Sequence, residues 1–238
     1  MLEFLLALII ALVLPGMGCK AAHANGPATP PQDSTPTAPD STVPAPRGSA
    51  ALDGTISPGE WAGAYVGQLT SGGEVRLMQD GTYLYLAVQR RGDLVVTVCL
   101  DQGDSVAVLH SSAAIGTAGY RRTQSGWNLT RRFTWELRDS TMSEAAQRER
   151  EAFLQREGWV ATNAYLGART DTEFQIAMPS GRLRLAVVPM SVGDGYQEIA
   201  WWPSWLADGC RSEAVLTGYL PGQVQFAPRS WITVVAGP

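Results

Sequence analysis

Lysine is almost missing from this chain. Its 238 residues include 18 lysines and arginines together, and Lys20 is the only lysine. A Schiff-base lysine or a lysine general base is therefore excluded beyond residue 20. Histidine is nearly as scarce: His23 falls in a proline-rich stretch, and only His110 lies beyond it. That leaves no histidine-based catalytic pair and no multi-histidine metal site. The net charge is -4, so the field of the whole chain favours neither nucleic acid nor an anionic membrane surface. No internal repeat is visible. The composition is otherwise that of an ordinary globular protein, 45% hydrophobic and 17% charged.

The N-terminal segment reads differently from the rest. Phe4–Leu14 (FLLALIIALVL) is an apolar run with the length of a signal h-region, short for a bilayer span. Gly16-Met17-Gly18-Cys19 follows and is similar to a bacterial lipoprotein signal, in which the cysteine becomes the lipidated N-terminus. An ordinary cleaved signal with an incidental Cys19 is the alternative. Lys20–Ser49 holds seven of the 15 prolines, a composition that resists helix and reads as an extended tether. The expected organisation is a signal peptide over 1–18, a lipid-anchored tether over 19–49 and one folded domain over 50–238. The chain is expected to be exported to the cell envelope, periplasmic or at the surface, touching membrane only through its lipid.

Cys99 and Cys210 are the remaining cysteines. In an oxidising compartment they are expected to pair, with two buried thiols as the alternative. A bridge closing so long a loop is worth up to about 4.7 kcal/mol in the chain-entropy model.

The folded part is mostly β. Glu74–Met78 alternates polar and apolar residues, Asp80-Gly81 supplies a two-residue hairpin turn, and Thr82–Val88 returns with Leu84, Leu86 and Val88 on one face. Leu94–Leu100 (LVVTVCL) reads as a central strand. Further strands are expected over 105–110, 133–137, 172–178, 183–188, 197–201, 223–226 and 231–235. Thr141-x-x-Glu144 has capping-box spacing, Glu144–Glu157 is rich in helix formers, and Gly158 can end the helix. The expected fold is all-β, an immunoglobulin-like or jelly-roll-like β-sandwich with one surface helix.

Leu52-Asp53-Gly54-Thr55-Ile56, a Ser57-Pro58-Gly59 turn and then Glu60-Trp61 resemble the opening of family 9 carbohydrate-binding modules and their DOMON-like relatives. Val75–Leu86 is similar to their next element, a strand, an acidic turn and a Tyr-Leu-Tyr strand. Thr172–Pro179 is similar to a late strand of theirs. Trp61 is expected in the core, with Asp53 capping its own turn. The resemblance implies a non-catalytic domain that binds a glycan or small ligand, in one version as an accessory module of a glycoside hydrolase system. It also implies two other readings: a haem-binding electron-transfer domain, or a structural envelope domain that docks a protein.

Candidate site residues follow from both lines of reasoning. Among eight tryptophans, Trp201-Trp202-Pro203-Ser204-Trp205 is the densest cluster. Alternation along a strand sends Trp201 and Trp202 to opposite faces, and Pro203 discourages a continuing ladder. At least one indole is therefore expected outward, with Trp202 and Trp205 leading. The sugar-binding relatives carry one clamp tryptophan at this place and another before an Asp-Ser-Val strand. Here Asp101-Gln102-Gly103 precedes Asp104-Ser105-Val106, so Trp127 or Trp135 would have to substitute. His110 reads as a hydrogen-bonded structural residue, or as a haem ligand with Met78, Met142, Met178 or Met190. No cofactor is required by the preferred reading; Asp101 and Asp104 are weak calcium candidates. No spacing singles out a glycosidase carboxylate pair.

Overall fold

The computed structural model describes residues 41–238 apart from 58, 139–140, 142, 163–170 and 194–195. Cys19, the signal and most of the tether lie outside the described residues, as does Met142. The strands are β1 (Thr42–Ala45), β2 (Tyr65–Gln68), β3 (Glu74–Gln79), β4 (Tyr83–Gln89), β5 (Asp93–Asp101), β6 (Ser105–Ser111) and β7 (Ile115–Thr123). They continue as β8 (Gly126–Arg131), β9 (Trp159–Ala161), β10 (Asp171–Ala177), β11 (Arg182–Gly193), β12 (Tyr196–Ile199), β13 (Gln223–Val224) and β14 (Ile232–Ala236). Helix α1 (Glu144–Glu157) precedes β9.

These strands form the expected β-sandwich. A nine-stranded sheet runs β1-β14-β11-β5-β6-β7-β8-β13, with β12 also on β11, and a five-stranded sheet runs β2-β3-β4-β10-β9. Their facing sides bury Val96, Val98, Leu109, Leu185 and Val187 against Leu77, Leu84, Leu86, Phe174 and Ile176.

Several local expectations shift. The hairpin after β3 turns at Gly81-Thr82, one residue later than expected, because Gln79 pairs with Leu84 and the Asp80 N–H reaches the Tyr83 carbonyl. The Asp80 carboxylate instead holds the turn by accepting the Thr82 and Tyr83 N–H groups, both at 2.8 Å. Helix α1 starts on Ser143 rather than Thr141: the Ser143 hydroxyl accepts the Ala146 N–H at 3.2 Å. Its far end is as expected, with Gly158 left-handed and its N–H on the Leu154 carbonyl. A second helix of four residues, Glu213–Leu216, was not foreseen. The stretch 133–137 is not a strand; only Glu136 bridges, to Ile115, while Phe133 and Trp135 stack on each other. Strand β1 lies inside the stretch read as tether, where it pairs in parallel with β14.

Each sheet is also apolar on its outer face, and each outer face is covered. The segment from Ala50 to Ala64 covers the small sheet: Leu52, Ile56 and buried Trp61 pack on Met78, Tyr85 and Ala87. Burying an indole removes about 150–250 Å² from water, worth roughly 4–6 kcal/mol as an upper figure at about 25 cal/mol per Å². Asp53 caps its own turn, its carboxylate accepting the Thr55 N–H at 2.9 Å. The cover is fastened from β10. The fully buried Glu173 carboxylate accepts the N–H groups of Asp53 at 3.1 Å and Gly54 at 2.8 Å and the Trp61 Nε1–H at 3.2 Å. Asp171 accepts the Ile56 N–H at 3.0 Å.

The segment from Trp201 to Trp231 covers the outer face of the large sheet, packing Leu206, Val215, Leu216, Leu220 and Phe226 on Val106, Val108, Ala186 and Val188. The expected disulfide, Cys99–Cys210, pins it to the C-terminal half of β5. Asp208 ties its strands of loop together by accepting the Cys210 N–H at 3.0 Å and the Ala227 N–H and Trp231 Nε1–H at 2.7 Å.

Burial pushes the Glu173 carboxyl up to about 7, aided by the nearby Glu60 and Asp53 charges and opposed by the Gly54 and Trp61 N–H donors. The folded chain then holds this proton more tightly than the unfolded chain does, so the proton's contribution is present at low pH. It is lost as pH rises from about the ordinary carboxyl value of 4.3 to 7, by at most ~1.4 kcal/mol per pH unit. Thermal unfolding of wild type and Glu173→Gln across pH 4–8 is expected to show this: the melting temperature of the wild type should fall relative to the variant over that window and level off above it. Parallel profiles would remove Glu173 as the titrating fastener.

Candidate functional site

The chain from β12 runs on beside β11, so that Trp202 exchanges main-chain hydrogen bonds with Val187, both at 2.8 Å. This pairing assigns the faces. Trp202 points inward, between the sheets, and is buried; Trp201 points to the outer cover. The expectation that Trp202 faces outward is therefore corrected. Its indole abuts Gly67 of β2, where an added Cβ would stand 2.5 Å from Nε1, and only a residue without a side chain leaves room. Trp201 is half-buried, with the Arg211 guanidinium 3.5 Å from its ring centroid and its Nε1–H on the Ser204 carbonyl. Trp205 is the outward indole, 37% exposed, and its Nε1–H is fixed to the Ser230 carbonyl at 2.8 Å.

Trp202 and Trp205 meet in one groove of about 420 Å³ between the edge strands β1 and β2, lined also by Ser41, Thr42, Tyr65, Gln68 and Ser204. The Tyr65 ring is tilted 50° to Trp202 with centroids 6.2 Å apart. Burial raises the Tyr65 pKa, so its hydroxyl stays neutral near pH 7. The lining holds no Asp, Glu, His, Lys or Arg. The groove thus offers a partly exposed indole, a phenol, an amide and hydroxyls: apolar surface for C–H groups and uncharged partners for hydroxyl groups.

The other sequence candidates lie elsewhere. Trp127 is buried, its Nε1–H on the Phe226 carbonyl at 2.9 Å and its ring beneath the Arg122 guanidinium, so it does not complete the Trp205 groove. His110 lies on the outer face of the large sheet, its Nδ1 3.2 Å from the Thr97 hydroxyl. Burial pulls its pKa down to about 4, leaving it neutral. His110 and Met190 line a common cavity of about 410 Å³, the pairing that a haem reading needs. The imidazole, however, is already packed against the Phe133 and Trp135 rings, with centroids at 5.4 and 5.2 Å. Met78 and Met178 sit in other packing clusters. Asp101 is committed to the Gly103 N–H at 2.9 Å and to Arg184 at 3.2 Å, a cationic partner that opposes calcium, while Asp104 is exposed. Among the described residues no three His, Cys, Asp or Glu side chains converge as a metal site.

Sequence reasoning missed Tyr65 and Gln68, which lie far from the tryptophan cluster along the chain. The short run Tyr65-Val66-Gly67-Gln68 has no polar–apolar alternation that would have flagged them.

No family model and no curated protein matches the sequence. Two solved structures are similar. One is a family 9 carbohydrate-binding module from Caldicellulosiruptor kristjanssonii in complex with cellotriose, at 12% identity and a TM-score of 0.43, covering 82% of this chain and 93% of that one. The other, from Bacteroides uniformis, is named a candidate carbohydrate-binding protein; it has 10% identity and a TM-score of 0.42, covering 83% of this chain and 99% of that one.

Replacing Gly67 by Ala should drive the new methyl into Trp202. The expected result is a destabilisation of about 1–3 kcal/mol in urea unfolding, the usual range for overpacking, with a shift in tryptophan emission. A Gly67→Ala variant as stable as wild type would place the indole elsewhere.

Proposed function

We propose that this chain is a non-catalytic carbohydrate-binding domain on a lipid-anchored protein of the cell envelope, taking its ligand in the Tyr65–Trp202–Trp205 groove. The observation that carries this reading is the groove itself: an exposed indole whose orientation is fixed by Ser230, a phenol and an amide, with no charged side chain in the lining. Its volume falls in the range of about 300–1,000 Å³ usual for small-molecule sites. A lining without carboxylates lacks the acid and base that glycoside hydrolysis requires, which supports binding without catalysis. The resemblance of Leu52–Trp61 and Val75–Leu86 to family 9 modules agrees with this reading. The buried Cys99–Cys210 disulfide favours an oxidising compartment, and with it export. Anchoring rests on Cys19 after the h-region and before the proline-rich stretch.

Titration calorimetry with neutral oligosaccharides, cello- and xylo-hexaose among them, tests the groove. Trp205→Ala should weaken binding by about tenfold or more, as loss of a contact hot spot does, with unchanged circular dichroism. Tyr65→Ala should act in the same direction. Equal binding by wild type and both variants would move the site away from this groove.

Membrane fractionation tests the anchor. Cys19→Ala should move the protein from the membrane to the soluble fraction. A variant that stays wholly with the membrane would mean that something other than a lipid on Cys19 holds it.

A further inference from the structure

A second groove, of about 340 Å³, is lined by Arg122, Thr123, Trp127, Phe226, Pro228 and Arg229. We infer that Arg122 and Arg229 bind the carboxylate or sulfate groups of an acidic polysaccharide, a conclusion that rests on the carbohydrate reading above and names its ligand class.

The first observation is charge left unpaired. Arg76, Arg90, Arg131, Arg148, Arg156 and Arg184 each bridge to a carboxylate. In a chain of net charge -4, acidic side chains are in excess, yet Arg122 and Arg229 share one groove, and neither guanidinium has an ion pair or hydrogen bond among the described residues. Neither nearby acidic residue forms an ion pair with them among the described residues. Asp104 offers Arg122 its main-chain carbonyl, which accepts the Arg122 main-chain N–H at 2.9 Å. Asp208, behind Ala227, is half-buried and committed to three N–H donors.

The second observation is rigidity. The Arg122 guanidinium lies over the Trp127 ring, 4.7 Å from its centroid, and Trp127 is itself fixed through its Nε1–H. A stacked guanidinium keeps its in-plane N–H groups free, and their fork matches a planar carboxylate or one edge of a sulfate. Held in place, it loses less rotamer entropy on binding than a free side chain.

The third is position. Arg229 belongs to the short 3-10 turn Pro228–Ser230, and the next residue, Ser230, supplies the carbonyl that orients Trp205. Neighbouring Cα atoms are about 3.8 Å apart, so the neutral groove and the basic groove flank one turn. A polymer of sugars can present a ring to Trp205 and an acidic substituent to Arg229 and Arg122. The aromatic residues of the basic groove are buried, so the site offers no apolar side chain for insertion into a lipid surface.

Affinity electrophoresis and calorimetry at low salt, with the folded domain, test this. The probes are polygalacturonate, which carries carboxylates only, dextran sulfate, which carries sulfate esters only, and neutral cellohexaose. The variants are Arg122→Gln/Arg229→Gln, Trp205→Ala and a charge-matched control, Arg91→Gln/Arg182→Gln, at exposed positions outside both grooves. At least one charged polymer is expected to bind about tenfold or more tightly than cellohexaose, as charge-assisted contacts allow, with the gap shrinking as salt rises. The Arg122/Arg229 variant should lose that gap and keep its binding of cellohexaose, and the control should keep both. Trp205→Ala should weaken charged and neutral ligands alike. Preference for polygalacturonate or for dextran sulfate identifies the acidic group. Equal affinity for charged and neutral ligands, or equal losses in the control and the Arg122/Arg229 variant, overturns the inference and leaves the carbohydrate reading standing. Absence of binding to all three probes overturns both.

Discussion

Every residue of β5 from Val96 to Leu100 is buried, so this strand has no face that water can occupy. That constraint shapes the molecule. A sandwich normally solves half of the problem by turning two apolar faces toward each other. Here the outer faces are apolar as well, and the chain ends fold back to cover them. The segment before β2 covers the small sheet, and the segment between β12 and β14 covers the large one. The sandwich is thus the middle of a four-layer arrangement.

Both covers are mostly irregular chain with only short turns and one four-residue helix of their own, and each is fastened by side chains that accept its main-chain N–H groups or cross-link it to the sheet. On the small sheet the fastener is a pair of acids, Glu173 and Asp171, that accept main-chain N–H groups of the 50–64 segment. On the large sheet it is the Cys99–Cys210 disulfide, with Asp208 gathering three donors beside it. Buried polar groups are tolerated where their hydrogen bonds are met, and here they serve to fix irregular chain in one conformation.

The two proposed binding grooves lie where the covers meet the sheet edges. The turn Pro228–Ser230 belongs to the outer cover, and it carries both the carbonyl that orients Trp205 and the side chain of Arg229. Edge strands β1 and β2 supply the remaining wall of the neutral groove. That the Trp201–Trp205 cluster turns one indole outward was legible, because alternation and Pro203 require it. Which indole that is was not legible, since it depends on Trp202 pairing with Val187, a contact between segments with no sequence signal linking them. For the same reason Tyr65, Gln68 and Arg229 did not stand out: each is ordinary in its local sequence, and only the fold brings it beside an aromatic ring.

The sequence by itself determined the strand pattern, the surface helix with its Gly158 stop, the sandwich class and the pairing expectation for Cys99 and Cys210. These rest on periodicity, turn chemistry and cysteine count, which act over a few residues or follow from composition. It also indicated that Trp61 is core and that Asp53 serves its own turn. Only the tertiary structure decided that β1 pairs with β14, that 133–137 stacks its aromatic rings instead of forming a strand, and that Glu173 holds the opening segment down. It alone separated His110, Trp127 and Trp205 into three different places. The physical reason is that burial and contact across sheets join residues more than a hundred positions apart, and no local pattern encodes which of them will meet.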